Sequence, residues 1–108
     1  MIKHIYVNVQ HDGWTAVIKR PGNRPLRMSG MSAGSDHYQW RSGIISGLKN
    51  IGEWEKSILH LPARSHPIIK YLVDDVPDRF WGDVQQLLDE TRAGIMVHTN
   101  SEFEELSE

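Results

Sequence analysis

The sequence has no cysteine among its 108 residues. That excludes disulfide staples, thiolate metal sites and a cysteine nucleophile. No apolar run approaches the roughly 18–20 residues that span a bilayer, and Met1-Ile2-Lys3-His4 does not resemble the start of a signal peptide. A soluble, cytoplasmic protein with no membrane partner is therefore expected. Glycine-rich phosphate loops are missing too. Gly30-Met31-Ser32-Ala33-Gly34 has neither the spacing nor the lysine of a P-loop, and no GxGxxG follows a strand-like segment. The six histidines His4, His11, His37, His60, His66 and His98 form no HExxH or His-x3-His pair. They are expected to be scattered at the surface, with His4, His60 and His98 able to meet only if their strands lie side by side. No metal or other cofactor is implied. The serines Ser29, Ser32, Ser35, Ser42 and Ser65 lack the Gly-x-Ser-x-Gly setting of a nucleophile.

What is present suits one domain: 39% apolar residues and a length at which about two-thirds of the unfolded surface can be buried without staples. The formal net charge of −2 conceals a dipolar chain, +6 over residues 1–73 and −8 over residues 74–108. Such asymmetry offers a basic face to a polyanion and an acidic face to a basic partner, unless the two halves pack together and neutralise each other.

Ile2 to Val9 and Trp14 to Ile18, separated by the turn-like His11-Asp12-Gly13, read as a β-hairpin. Pro21-Gly22-Asn23 is a second turn, and Pro25 to Met31 makes a third strand. From His37 to Asn50, apolar residues recur at three- and four-residue spacings, with Ser35 or Asp36 as cap and Gly52 as stop. Gly43 and Gly47 inside this helix suggest a face pressed closely against the sheet. Ser57 to Leu61 reads as a fourth strand, Pro67 to Val73 as a short helix, and Pro77 or Asp78 begins a stronger helix carrying Phe80, Trp81, Val84, Leu87 and Leu88, stopped by Gly94. Ile95 to His98 is a fifth strand, and residues 99–108 form a short acidic helix or tail. The expected fold is mixed α/β (α+β) with a five-stranded mixed sheet, in the order β-β-β-α-β-α-α-β-α.

A three-stranded meander leading into a helix, then two strands separated by helices, resembles the ribonuclease H-like fold. Tyr6-Val7-Asn8-Val9 resembles that family's first-strand Tyr-Thr-Asp-Gly, and Asp12-Gly13-Trp14-Thr15-Ala16-Val17-Ile18 its second-strand Gly-Gly-aromatic-Gly-Ala-Val-Leu. Arg41 to Leu48 is similar to the helix motif Arg-Met-Glu-Leu-Met-Ala-Ala-Ile, Arg64 to Ile68 to Asp-Ser-x-Tyr-Val, Asp78 to Trp81 to the Asp-Leu-Trp helix, and Asn100 to Leu106 to Asn-x-x-x-Asp-Glu-Leu. The family's Gly-His loop is missing between Val97 and Ser101. Active members hold two divalent metals with four carboxylates. Those positions fall here on Asn8, Gly43, Arg64 (or its neighbour Ala63) and Glu104, so a single acid remains. The resemblance implies a degenerate domain without hydrolysis, because an amide, a hydrogen and a guanidinium supply none of the charged oxygen ligands such metals need.

The expected function is binding of a nucleic acid or a nucleic-acid-processing protein, with Lys19, Arg20, Arg24, Arg27, Arg41 and Arg64 as the anion contacts and Trp40 as the stacking platform; Trp14 and Tyr38 are further stacking candidates. The alternative is a protein-interaction module, an inhibitor or assembly adaptor, acting through the acidic 74–108 segment with Asp74, Asp75, Glu102 and Glu105. Trp14, Trp54 and Trp81 are candidate interface anchors, with core packing the competing role for Trp81. A third alternative is a metal-dependent nuclease with a rearranged site using Glu104, Asp36 or histidines. An uncovered outer strand would also permit a homodimer by sheet extension.

Overall fold

The computed structural model describes residues 2–11, 13–52, 55–74 and 77–108. Nine elements succeed one another: β1 (Ile2–Gln10), β2 (Gly13–Lys19), β3 (Leu26–Gly30), α1 (Asp36–Leu48), β4 (Lys56–Pro62), α2 (His66–Val73), α3 (Gly82–Thr91), β5 (Gly94–His98) and α4 (Asn100–Ser107). A 3₁₀ turn, Ala63–Ser65, joins β4 to α2. The fold is mixed α/β, with a five-stranded sheet in the order β3-β2-β1-β4-β5. β1, β2 and β3 pair antiparallel, whereas β4 runs parallel to β1 and β5 parallel to β4. No helix among the described residues is long and apolar enough to cross a membrane.

The alternation of side chains along a strand decides what each face carries. Ile5, Val7 and Val9 of β1 join Ala16 and Ile18 of β2 and Leu59 and Leu61 of β4 in one apolar core, closed by Trp40, Ile44 and Leu48 of α1, Ile68 and Leu72 of α2, and Val84 and Leu88 of α3. Gly43 and Gly47 permit the close approach of α1. A Cβ on Gly43 would lie 2.9 Å from Val7 Cγ1 and 3.2 Å from Trp14 Cβ, and one on Gly47 would lie 2.6 Å from Ile5 Cγ2. The opposite face holds a smaller cluster, Tyr6 and Val17 under Phe103 of α4.

Several local expectations are corrected. Ser35 is the N-cap of α1, but its side chain makes no capping bond; its carbonyl accepts from Tyr38 N–H at 3.0 Å instead. Phe80 and Trp81 precede α3 rather than opening it. The Asp78 carboxylate accepts from both of their N–H groups, at 2.9 and 3.0 Å, in a turn that competes with helix. Gly94 does not stop α3, because Arg92 already ends it in the left-handed region at φ 52°. Trp81 is buried and stacked on Tyr71, which makes it core, while Trp54 lies outside the described residues.

Candidate functional site

Two polar features occupy the α4 face. The first is a cleft of about 460 Å³ between the β1–β2–β3 meander and α4, lined by Tyr6, Asn8, Gln10, Thr15, Arg27, Ser29 and Glu104 among others. α4 is fixed over the sheet at both ends. Thr99 caps its start, the hydroxyl oxygen accepting from Glu102 N–H at 3.2 Å, and Phe103 is buried beneath. At its other end Lys19 Nζ donates to the carbonyls of Leu106 and Glu108, each at 2.5 Å, and Arg27 Nη1 donates to that of Ser107 at 3.5 Å. These cations sit where the helix dipole is negative.

Three of the four positions implied by the resemblance gather around this cleft. Asn8 is buried in β1, its side-chain oxygen accepting from Val9 N–H at 2.9 Å. Arg64 Nη2 lies 3.6 Å from Glu104 Oε1, and Arg64 N–H donates to Asn100 Oδ1 at 3.0 Å. Arg64 also lines an adjoining depression with Val9, Gln10, His11 and Asp36. Gly43 sits apart, wedged against Val7 and Trp14 on the α1 face, where no side chain fits. Among the described residues, no group of three or more His, Asp or Glu side chains is arranged to hold a metal ion.

The expected basic surface is not one surface. Trp40 is only 4% exposed, in the core beneath α1, so it cannot stack a base. Trp14 is half-buried over Gly30 and Gly43. Tyr38 stays exposed, edge-on to Phe80. Arg41 points to α3, its Nε donating to Phe80 O at 3.0 Å and its Nη2 to Asp83 at 2.5 Å. Lys19 and Arg27 are engaged by α4 on the other face, which leaves Arg20 and Arg24 exposed near the β2–β3 turn. Arg41–Asp83 and Arg64–Glu104 pair the basic half with the acidic half, and Lys19 and Arg27 reach backbone oxygens of α4, so the asymmetry is compensated only in part. Asp74, Glu102 and Glu105 are exposed, and Asp75 lies outside the described residues.

The second feature is a row of imidazoles. His4 Nδ1 lies 2.9 Å from His60 Nε2, and His60 Nδ1 lies 2.7 Å from His98 Nε2. The three histidines stand on the adjacent strands β1, β4 and β5, and the Tyr6 ring stacks on His60 with centroids 4.4 Å apart. They are not scattered. Two imidazoles on one tetrahedral metal hold their nitrogens about 3.3 Å apart, and His60 offers a different nitrogen to each neighbour, so these are hydrogen bonds rather than a chelate. Burial, reinforced by His4 and His98, pushes the His60 pKa down to about 4. Burial also raises the Tyr6 phenol. Spacing along the chain could not reveal this row; strand order and strand parity together could. The chain matches no protein-family model and no curated protein.

Proposed function

We propose that the chain is a ribonuclease H-like module that binds without hydrolysing, and that its partner is a protein. The meander with two parallel strands added beyond β1 supports the family reading. The cleft supports the loss of hydrolysis: an amide at Asn8, no room at Gly43, and a guanidinium already paired with Glu104. One observation carries the choice of partner. β5 is an outer strand whose residues Gly94-Ile95-Met96-Val97-His98 include no Asp, Glu, Lys or Arg, with Met96 and Val97 47% and 49% exposed. Outer strands of this kind are templates for strand addition unless charge or cover blunts them. β5 lies within the segment of charge −8, where Asp74, Asp89, Glu90, Glu102 and Glu105 are exposed. The fitting occupant is an extended polypeptide segment with alternating apolar residues and Lys or Arg at its flanks, as a basic nucleic-acid-processing protein would present.

The test uses a synthetic peptide of alternating Val and Thr flanked by lysine pairs. Added to the protein, it is expected to protect the amides of residues 94–98 from exchange in a salt-sensitive manner, and Val97→Lys is expected to abolish that protection. Protection at β3 instead, or indifference to Val97→Lys, overturns the reading.

A second reading rests on the cleft. Asn8, Gln10, Thr15 and Ser29 present amides and hydroxyls beside Arg27, with Arg20 and Arg24 exposed at the β2–β3 turn, a set suited to a nucleic-acid backbone. Labelled single-stranded DNA, duplex DNA, RNA and RNA–DNA hybrid, titrated at low and physiological salt with Mg²⁺ or Mn²⁺, decide it. Binding lost on changing Arg20 and Arg24, with intact probes on a denaturing gel, favours this reading. Metal-dependent cleavage abolished by Glu104→Gln overturns the loss of hydrolysis.

A further inference from the structure

We propose that His4, His60 and His98 form a proton-gated latch, which accepts one proton without loss and releases β5, with α4 behind it, when a second proton binds. The argument is a count of hydrogens. The row has four inward nitrogens in two contacts, of 2.9 and 2.7 Å, and two outward ones, His4 Nε2 and His98 Nδ1. Each contact accommodates one N–H and one lone pair. Three neutral imidazoles carry three N–H groups, two filling the contacts and one facing outward. A fourth hydrogen occupies the remaining outward nitrogen, so one excess charge is shared along the row with both bonds intact. A fifth has nowhere to go except into a contact, where two N–H groups then oppose each other at hydrogen-bonding distance.

The surroundings decide which contact yields. β1 is paired on both sides, to β2 and β4, whereas β5 is paired only to β4. His98 is the last residue of β5, and Thr99, the N-cap of α4, follows it directly. The repulsion is therefore relieved by moving His98, and with it the strand end and the start of α4. Among the described residues, the Tyr6 ring stacks on His60 and, beyond it, Lys19 of β2 places Nζ 5.4 Å from the centre of that ring. From α4, Glu104 is turned to Arg64 at the end of β4, and Glu102 and Glu105 are exposed. The carboxylates of α3 lie on the opposite side of the sheet. Burial makes His60 resist protonation, whereas the rings of His4 and His98 are half-buried.

Ring-nitrogen NMR on ¹⁵N-histidine protein counts the protons, while hydrogen exchange, corrected for its intrinsic pH dependence, follows residues 94–107 against residues 5–9 and 14–18. Protection of 94–107 is expected to stay constant through uptake of the first proton and to fall at least tenfold with the second, while the meander keeps its own. Loss with the first proton, no loss with the second, or simultaneous loss in all three segments overturns the latch. His98→Gln supplies an amide that can turn to donate or accept but does not titrate, and it is expected to remove the acid step from 94–107. An undiminished step in that variant also overturns the proposal. Glu104→Gln separates the latch from acid rupture of the Arg64 ion pair: the step persists if the histidines cause it, and its disappearance assigns it to Glu104 instead.

Discussion

On the α1 face, the inward residues Ile5, Val7, Ala16, Ile18, Leu59 and Leu61 are apolar and at most 2% exposed, with Ser57 buried beside them in β4. On the α4 face the same three strands present His4, Tyr6, Asn8, Thr15, Val17 and His60 beneath a single helix. One sheet thus has a dry side, whose side chains are spent on packing, and a half-covered side, where polar groups keep hydrogen-bonding capacity. The contrast separates what holds the fold from what is free to act. It also explains why the positions implied by the resemblance divide as they do: Asn8 and Glu104 border the cleft, while Gly43 belongs to the packing.

Reinstating a carboxylate on the dry side is the harshest way to break this comparison. Gly43→Glu should overpack α1 against Val7 and Trp14 and bury an unpaired charge, costing at least about 4 kcal/mol, and urea titration should show an early transition or none. Leu59→Ala opens a cavity between α1 and the sheet and should cost about 3 kcal/mol. A comparable loss from Asn8→Ala would erase the distinction between the faces.

The next effect belongs to His60 and depends on pH. Its folded pKa of about 4 lies below the ordinary 6.5, so the unfolded chain binds more protons in that interval. Stability is complete above pH 6.5, falls as pH drops from 6.5 to 4 and levels off below for this group, a change on the order of 2–3 kcal/mol. Denaturant titrations of the parent and His60→Phe across this interval should show the slope shrink in the variant. Thr99→Ala removes the α4 cap and should cost about 1 kcal/mol in the same assay. The smallest effect is a gain: Ser57 Oγ is buried with no hydrogen-bond partner, so Ser57→Ala should stabilise the protein by about 0.5 to 1 kcal/mol.

The central strand was the most legible element, because a strand buried on both faces carries an almost continuous run such as Ile5-Tyr6-Val7-Asn8-Val9. Gly43 and Gly47 likewise announced a close helix contact, since glycine inside a helix needs a packing reason. The start of α3 was obscured by chemistry local to Asp78, whose carboxylate offers the backbone a turn where apolar spacing suggests a helix. The site was less readable. Whether Trp40 faces solvent or core depends on which side of α1 meets the sheet, and whether Lys19 is free depends on where α4 ends. The histidine row needs three strands in a particular order, a property of pairing between segments rather than of any segment alone.

The placement of β1 at the middle of the sheet bears on how the chain folds. Its hairpin with β2 joins near neighbours and is expected to form within microseconds. Its other edge must wait for β4, which sets His4 beside a residue 56 positions away, and Lys19 meets the backbone of Glu108 across 89 positions. Searching out such distant partners is entropically slow, so the parallel β1–β4 pairing is expected to set the folding rate. A meander that forms early with one edge of β1 still vacant is also the species most exposed to intermolecular pairing. Growth temperature and expression rate should therefore govern the soluble yield of this protein more than its final stability does.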